Sequence, residues 1–175
     1  MVGKAYLPSA EIAERVRELG AEISRDYEDL EPVLISILKG AVFFLADLAR
    51  EITVPMSIDF IAISTLFQDQ QEGMGSRRQV RFLKDLDQDV EGRHLLIVED
   101  VIDTGLTLNY IIRNLWLRNP ASLEIATLLD RPYRRMVELP VKYRGFTVPD
   151  EFFVGYGFDY KQKLRNLPDI CELNL

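Results

Sequence analysis

The chain holds one cysteine, Cys171, and one histidine, His94, in 175 residues. A lone cysteine excludes an intramolecular disulfide framework, and a lone histidine excludes a histidine cluster for zinc. Ser-His-Asp chemistry would have to run through His94, which opens an apolar run and reads as structural. Cys171 has no neighbouring acid or base and reads as inert. Long apolar stretches are also missing. The longest run, residues 41–46, falls far short of the roughly 20 residues that cross a bilayer. No leader-like h-region is visible, so a soluble cytoplasmic protein is the expectation. Positive charge is scarce as well: 21 Lys and Arg stand against 28 Asp and Glu, a net charge of −7. That balance counts against nucleic-acid and membrane-surface binding, both of which reward a basic face. There is no repeat and no Gly/Ser tract. Residues 1–175 therefore read as one domain, large enough to bury about 70% of its unfolded surface without metal or disulfide.

What is present alternates between strand and helix signals. Ser9 can cap a helix with Ile12, Ala13, Val16, Leu19 and Ile23 on its apolar face. Strands are expected over 33–38, 57–64, 80–83, 94–98, 123–129 and 151–156. A helix that is apolar nearly all round is expected over 41–50, and another helix over 106–117. Residues 68–78 are polar, carry two glycines and lack any apolar period, which predicts a mobile loop. Alternation of this kind specifies an α/β domain with a mainly parallel twisted sheet flanked by helices.

One segment carries chemistry: Leu95-Leu96-Ile97-Val98-Glu99-Asp100-Val101-Ile102-Asp103-Thr104-Gly105-Leu106-Thr107. An apolar strand runs into two carboxylates, then a third, then Thr-Gly-Leu-Thr at a helix start. Ligands of open α/β sheets bind beyond the carboxyl ends of the strands. A tight turn entering a helix directs backbone N–H groups at an anion. Gly105 permits close approach, and Thr104 and Thr107 add hydroxyls. A phosphate fits this turn, and Glu99 and Asp100 could accept from sugar hydroxyls. A single acid here would simply complement the helix dipole. Two adjacent carboxylates at a buried strand end are costly unless hydroxyls or a cation satisfy them.

Residues 96–107 closely resemble the ribose-5-phosphate motif of type I phosphoribosyltransferases. Val33-Leu34-Ile35-Ser36-Ile37-Leu38-Lys39-Gly40-Ala41 is similar to the pyrophosphate loop of the hypoxanthine-guanine members of that family. Phe82-Leu83-Lys84-Asp85-Leu86-Asp87, Leu128-Leu129-Asp130-Arg131-Pro132 and the run Phe152-Phe153-Val154-Gly155-Tyr156-Gly157-Phe158-Asp159-Tyr160 match further family segments in the same order. The resemblance spans about residues 8–170. It implies the type I phosphoribosyltransferase fold, with a small hood formed by the chain ends.

The activity it implies is magnesium-dependent transfer of 5-phosphoribosyl from phosphoribosyl diphosphate to N9 of a 6-oxopurine. By the match, Glu99 and Asp100 hold the ribose hydroxyls directly or through Mg2+. Asp103 sits beside the purine N7 as general acid/base, and Asp103, Thr104, Gly105, Leu106 and Thr107 wrap the 5′-phosphate. Lys39, Gly40 and Arg165 meet the pyrophosphate, with a cis peptide often found between the positions of Leu38 and Lys39. Arg131, Phe152, Phe153 and Asp159 belong to the purine side. Phe152 stacks on the base, the backbone of Phe153 bonds its edge, and Asp159 joins Glu99 and Asp100 as a metal-side carboxylate.

Two departures stand out. Arg131 replaces the base-recognising lysine of the family. The family's Ser-Tyr signature is absent from the atypical 65–79 loop, where Ser64-Thr65-Leu66-Phe67 stands instead. Trp116 shares a helix face with Ile112 and Leu115 and reads as core or subunit interface. The clusters Arg134-Arg135 and Arg77-Arg78-Arg81 are open between phosphate-facing, subunit-facing and solvated roles. The resemblance also implies a homodimer or homotetramer. Alternative readings are a transferase for xanthine or another base, and a regulator that senses phosphoribosyl diphosphate. The regulator would need the extensive basic face that this chain lacks.

Overall fold

The computed structural model describes residues 2–68 and 77–174, with side chains described outside 65–79. The expected mobile loop lies for the most part outside the described residues. The core of the molecule is a six-stranded sheet built on β2 (Val33–Ile37), whose five residues are all buried. A strand covered on both faces reads as a near-continuous apolar run, and Val-Leu-Ile-Ser-Ile is one, broken only by Ser36. Parallel to it lie β3 (Ser57–Gln68) on one side and β5 (His94–Ile102) on the other. Beyond β5 come β6 (Ser122–Asp130) and β7 (Tyr143–Thr147), both parallel. The far edge is β4 (Arg77–Lys84), antiparallel to β3. The mainly parallel sheet expected from the sequence is the sheet observed.

Helices cover both faces. Against one pack α1 (Ser9–Asp26) and α2 (Val42–Glu51), which bury Ile12, Val16, Leu19, Ile23, Phe44 and Leu48 over Leu34, Leu96 and Val98. Against the other packs α3 (Leu106–Trp116), with Leu108, Ile111 and Leu115 over Ile35, Leu95 and Ile97. Each fully buried Leu, Ile or Phe contributes about 1.5–3 kcal/mol, and the alternation along β5 divides its residues between the two cores. A second, three-stranded sheet joins β1 (Val2–Leu7), β9 (Ile170–Leu173) and β8 (Phe153–Val154) in the order β1-β9-β8. This is the hood made by the chain ends. No helix among the described residues is long and apolar enough to cross a membrane.

Several local expectations are corrected. Ser9 is the first helical residue rather than the cap; Pro8 holds that position. The Ser9 N–H is instead donated to Asp169 Oδ1 at 2.7 Å, so a residue 160 positions away caps α1. Strand β5 continues past Val98 to Ile102, because β6 goes on pairing with it: Glu99 lies opposite Thr127 and Ile102 opposite Asp130. The strand expected over 151–156 shrinks to Phe153–Val154, since Gly155 and Tyr156 turn at φ 93° and 47°. Trp116 is 48% exposed and takes no place in the core. His94 is structural as expected: its Nδ1 lies 2.9 Å from Ser122 Oγ. Cys171 is buried, which pushes its thiol pKa up and away from reactivity.

Candidate active site

The site forms where β5 ends. Because successive strand residues face opposite sides, Glu99 and Asp100 diverge. Glu99 lines a hollow of about 340 Å³ over the 101–108 turn, shared with Asp103, Thr104, Gly105 and Thr107. Asp100 faces the opposite loop, and a Cβ on Gly40 would collide with its carboxylate. Gly40 is therefore required by close approach: the pyrophosphate loop of the resemblance and the strand tip touch here. The peptide bond between Leu38 and Lys39 is cis, as the resemblance implies, and Lys39 is exposed.

The turn after β5 has the geometry of an anion cradle. Gly105 sits at φ 77° as the cap of α3, in the left-handed region that costs glycine nothing. No side chain caps the helix well; Thr104 Oγ1 reaches the Leu106 N–H only at 3.5 Å. The first N–H groups of α3 are thus available to a ligand. The Met136 N–H donates to the Thr104 carbonyl at 3.0 Å and ties the segment after β6 to the turn.

Burial pushes the Glu99 carboxyl well above the carboxylate range, and its charged neighbour Asp100 adds to this. Burial likewise pushes Asp100 up, to about 6, against the pull of the Val101 N–H and the Arg165 guanidinium. Each carboxylate, on its own side of the strand, has the donor chemistry of a divalent-cation ligand. Among the described residues no three His, Cys, Asp or Glu are grouped to hold a metal unaided. Magnesium, however, is commonly held by one or two carboxylates plus phosphate oxygens and water. The sign of the pH effect follows. Folded Glu99 and Asp100 bind protons that the unfolded chain has already released above pH about 4. Stability of the metal-free protein therefore falls as pH rises through about 6. For Asp100 the loss is at most about 3 kcal/mol. Thermal melts in a chelator should give a lower Tm at pH 8 than at pH 5, with Glu99→Gln and Asp100→Asn flattening the slope. A Tm that rises across this range in the wild-type chain would contradict the reading.

A second hollow, of about 350 Å³, lies beside the first and is lined by Asp103, Arg131, Glu151, Phe152, Phe153 and Phe158 among others. Arg131 follows Asp130 at the end of β6 and is only 8% exposed. Its Nη1 donates to Asp103 Oδ1 at 2.9 Å and its Nη2 to the Glu151 carbonyl at 2.6 Å. The guanidinium carbon lies 5.5 Å from the centre of the Phe153 ring, and Nε–H is buried without a partner. Phe152, 68% exposed, stands at the lip. Of the Phe-Phe pair, then, Phe153 joins the core and Phe152 faces the opening.

Asp159 and Arg165 form a third group. Arg165 pairs with Asp159 Oδ1 at 2.6 Å and donates to the Gly157 carbonyl at 2.6 Å. The Gly157 backbone presses on the Gly40 carbonyl so closely that no side chain fits there. Arg165 thus borders the loop that carries Gly40. Asp159 also accepts from the Gln162 N–H at 2.7 Å and is not among the residues lining the second hollow. Sequence reasoning did not find Asp150, the Glu151 carbonyl or Phe158 at this site. Asp150 and Glu151 carry no motif, and Phe158, though inside the Phe152–Tyr160 run, had no role assigned; the fold brings all three to the hollow.

A mainly parallel sheet with an uncapped helix start after a central strand, and an aromatic-walled pocket adjoining that turn, defines an α/β protein that binds its ligand at the strand ends. Comparison with known proteins narrows this. The phosphoribosyl transferase domain family matches residues 3–161, and the chain belongs to that family. It is 49% identical to the hypoxanthine phosphoribosyltransferase of Salmonella typhimurium over 98% of this chain and 96% of the other. It is 43% identical to the hypoxanthine-guanine phosphoribosyltransferase of Bacillus subtilis over 98% of this chain and 93% of the other. A crystal structure of a hypoxanthine phosphoribosyltransferase from Staphylococcus aureus superposes with a TM-score of 0.91 at 40% identity, covering 99% of this chain and 92% of that one.

Proposed function

We propose that the chain is a purine-salvage enzyme that transfers 5-phosphoribosyl from phosphoribosyl diphosphate to N9 of a 6-oxopurine, releasing pyrophosphate. The observation that carries this reading is the pairing of the buried Arg131 with Asp103, a carboxylate that lines both hollows. Arg131 offers N–H donors to a 6-oxo group. In a purine, O6 and N7 lie on the same edge, so a base bonded to Arg131 brings N7 to Asp103. As N9 bonds to C1′ and the C1′–O bond to pyrophosphate breaks, the purine N7 proton passes to the Asp103 carboxylate. The 104–107 turn holds the 5′-phosphate, Phe152 covers the ring, and Lys39, Gly40 and Arg165 receive the departing pyrophosphate. These are tasks of positioning and charge stabilisation. Glu99, Asp100 and Asp159 are the carboxylates assigned to the metal side. Magnesium bound there would neutralise pyrophosphate charge.

Arg131 also bears on specificity. The 6-amino group of adenine is itself a donor and would meet the guanidinium donor to donor, so adenine is rejected. Arg131→Ala is expected to raise KM for hypoxanthine by roughly 10–100-fold, and KM for phosphoribosyl diphosphate by less than about threefold. Steady-state kinetics varying each substrate in turn provide the check. Equal effects on both constants would sink the assignment. The exposed apolar side chains Tyr110, Trp116 and Leu117 on and just after α3 support a homodimer or homotetramer.

A further inference from the structure

Val101, Asp103 and Arg134 line both hollows. Among the described residues lining the hollow over the phosphate turn, Arg134 is the one cation, set against the carboxylates of Glu99 and Asp103. Backbone amides alone would otherwise balance a phosphate dianion there. In the ligand-free protein Arg134 is directed elsewhere: its Nη1 pairs with Asp150 Oδ1 at 2.6 Å, on the wall of the base hollow. Both partners are well exposed, at 39% and 60%. An exposed pair of this kind shifts an equilibrium by at most about fivefold. A charge-assisted bond to a phosphate in a half-enclosed hollow is worth roughly tenfold or more. Arg134 closes a 3-10 turn over Pro132–Arg134, and two residues on, the Met136 N–H is fixed to the Thr104 carbonyl of the turn itself.

We propose that Arg134 is a latch between the two subsites: it leaves Asp150 for the phosphoryl group seated on the 104–107 turn, and so supplies the cation of the 5′-phosphate subsite. The inference rests on the proposed function for the identity of that anion. Departure of Arg134 from Asp150 also removes an ion pair from the wall of the base hollow. Asp150 competes with the phosphate for Arg134 in the free protein.

Calorimetric titration with ribose 5-phosphate, which carries only the 5′-phosphate, tests this. A parallel titration with magnesium pyrophosphate reports on the neighbouring subsite and on the integrity of the fold. Arg134→Gln should weaken ribose 5-phosphate at least tenfold and leave pyrophosphate within twofold. Arg134→Lys should recover part of the loss. Asp150→Asn, which frees the guanidinium in advance, should tighten ribose 5-phosphate by up to about fivefold. Wild-type affinity in Arg134→Gln, or no tightening in Asp150→Asn, overturns the latch alone. Absence of ribose 5-phosphate binding by the wild-type chain overturns both the latch and the functional reading beneath it.

Discussion

Asp103→Asn is expected to lower kcat by roughly 10²–10⁴-fold, the range of a lost general acid/base. KM for phosphoribosyl diphosphate should stay within a few-fold. The side chain keeps its shape and can still meet Arg131 through its amide oxygen. On the proposed function, what disappears is the charge that accepts the purine N7 proton while positive charge builds at C1′. Asp103 is well placed for this because the 2.9 Å pair with Arg131 holds it on the side of the pocket where N7 must lie. The split between kcat and KM distinguishes this role from a merely structural one. A structural defect would loosen the turn and raise KM for the phosphorylated substrate as well. Single-turnover measurement of nucleotide formation isolates the chemical step. A rate within threefold of wild type would show that Asp103 does not carry the proton.

The second large effect is on stability. Asp130 is fully buried and is bound by two guanidinium groups, Arg135 on Oδ1 and Arg144 through Nε on Oδ2 at 2.6 Å. Arg15 of α1 in turn donates to the Arg144 and Gly145 carbonyls at 2.7 and 3.2 Å. One carboxylate thus joins the end of β6, the segment after it, β7 and α1, directly behind Arg131. Removing it leaves Arg135 largely buried and uncompensated, with an Nη1 that already lacks a partner. Breaking a buried pair from one side costs about 3–5 kcal/mol. Asp130→Ala should therefore lower Tm by roughly 6–20 °C. Arg144→Ala, which leaves the Asp130–Arg135 pair intact and removes a half-exposed partner, should cost much less. Thermal melts of the two variants would decide the point; a loss of under 2 °C for Asp130→Ala would mean the network contributes little.

Legibility of the site in the sequence followed from how local each feature is. The 103–107 turn, the carboxylates of β5 and Gly40 lie in short contiguous segments whose spacing dictates their geometry, and the turn follows β5 directly. Strand β2 was visible because all five residues are apolar or small and both faces are covered. Long-range pairings were not visible. Arg131 and Asp103 are 28 residues apart, and no pattern in either segment announces their contact. Asp169 capping α1 across 160 residues is the extreme case: Ser9 has the right chemistry for a cap, yet a distant carboxylate satisfies its N–H. The end of β5 was misplaced because carboxylates looked like the end of a strand, whereas pairing with β6 carries the backbone four residues further. Strand β7 escaped notice because Tyr-Arg-Gly-Phe-Thr carries a central glycine and a charge, features tolerated at this edge of the sheet.

The net charge of −7 also takes on a different meaning beside the structure. Acidity overall speaks against nucleic acid. It does not oppose a small polyphosphate held by backbone amides, by Lys39, Arg134 and Arg165, and by a metal between phosphates and carboxylates. The absence of cysteine and histidine from the site is equally understandable, since this chemistry needs only a carboxylate for the proton and cations for the leaving group.

The central claim is most directly tested by incubating the purified chain with phosphoribosyl diphosphate, magnesium and, in separate reactions, hypoxanthine, guanine, xanthine or adenine, and measuring nucleoside monophosphate and pyrophosphate together. The account predicts equal amounts of nucleotide and pyrophosphate with hypoxanthine or guanine, dependence on the metal, and no product with adenine. No nucleotide from any 6-oxopurine, or turnover of adenine at a comparable rate, would contradict it.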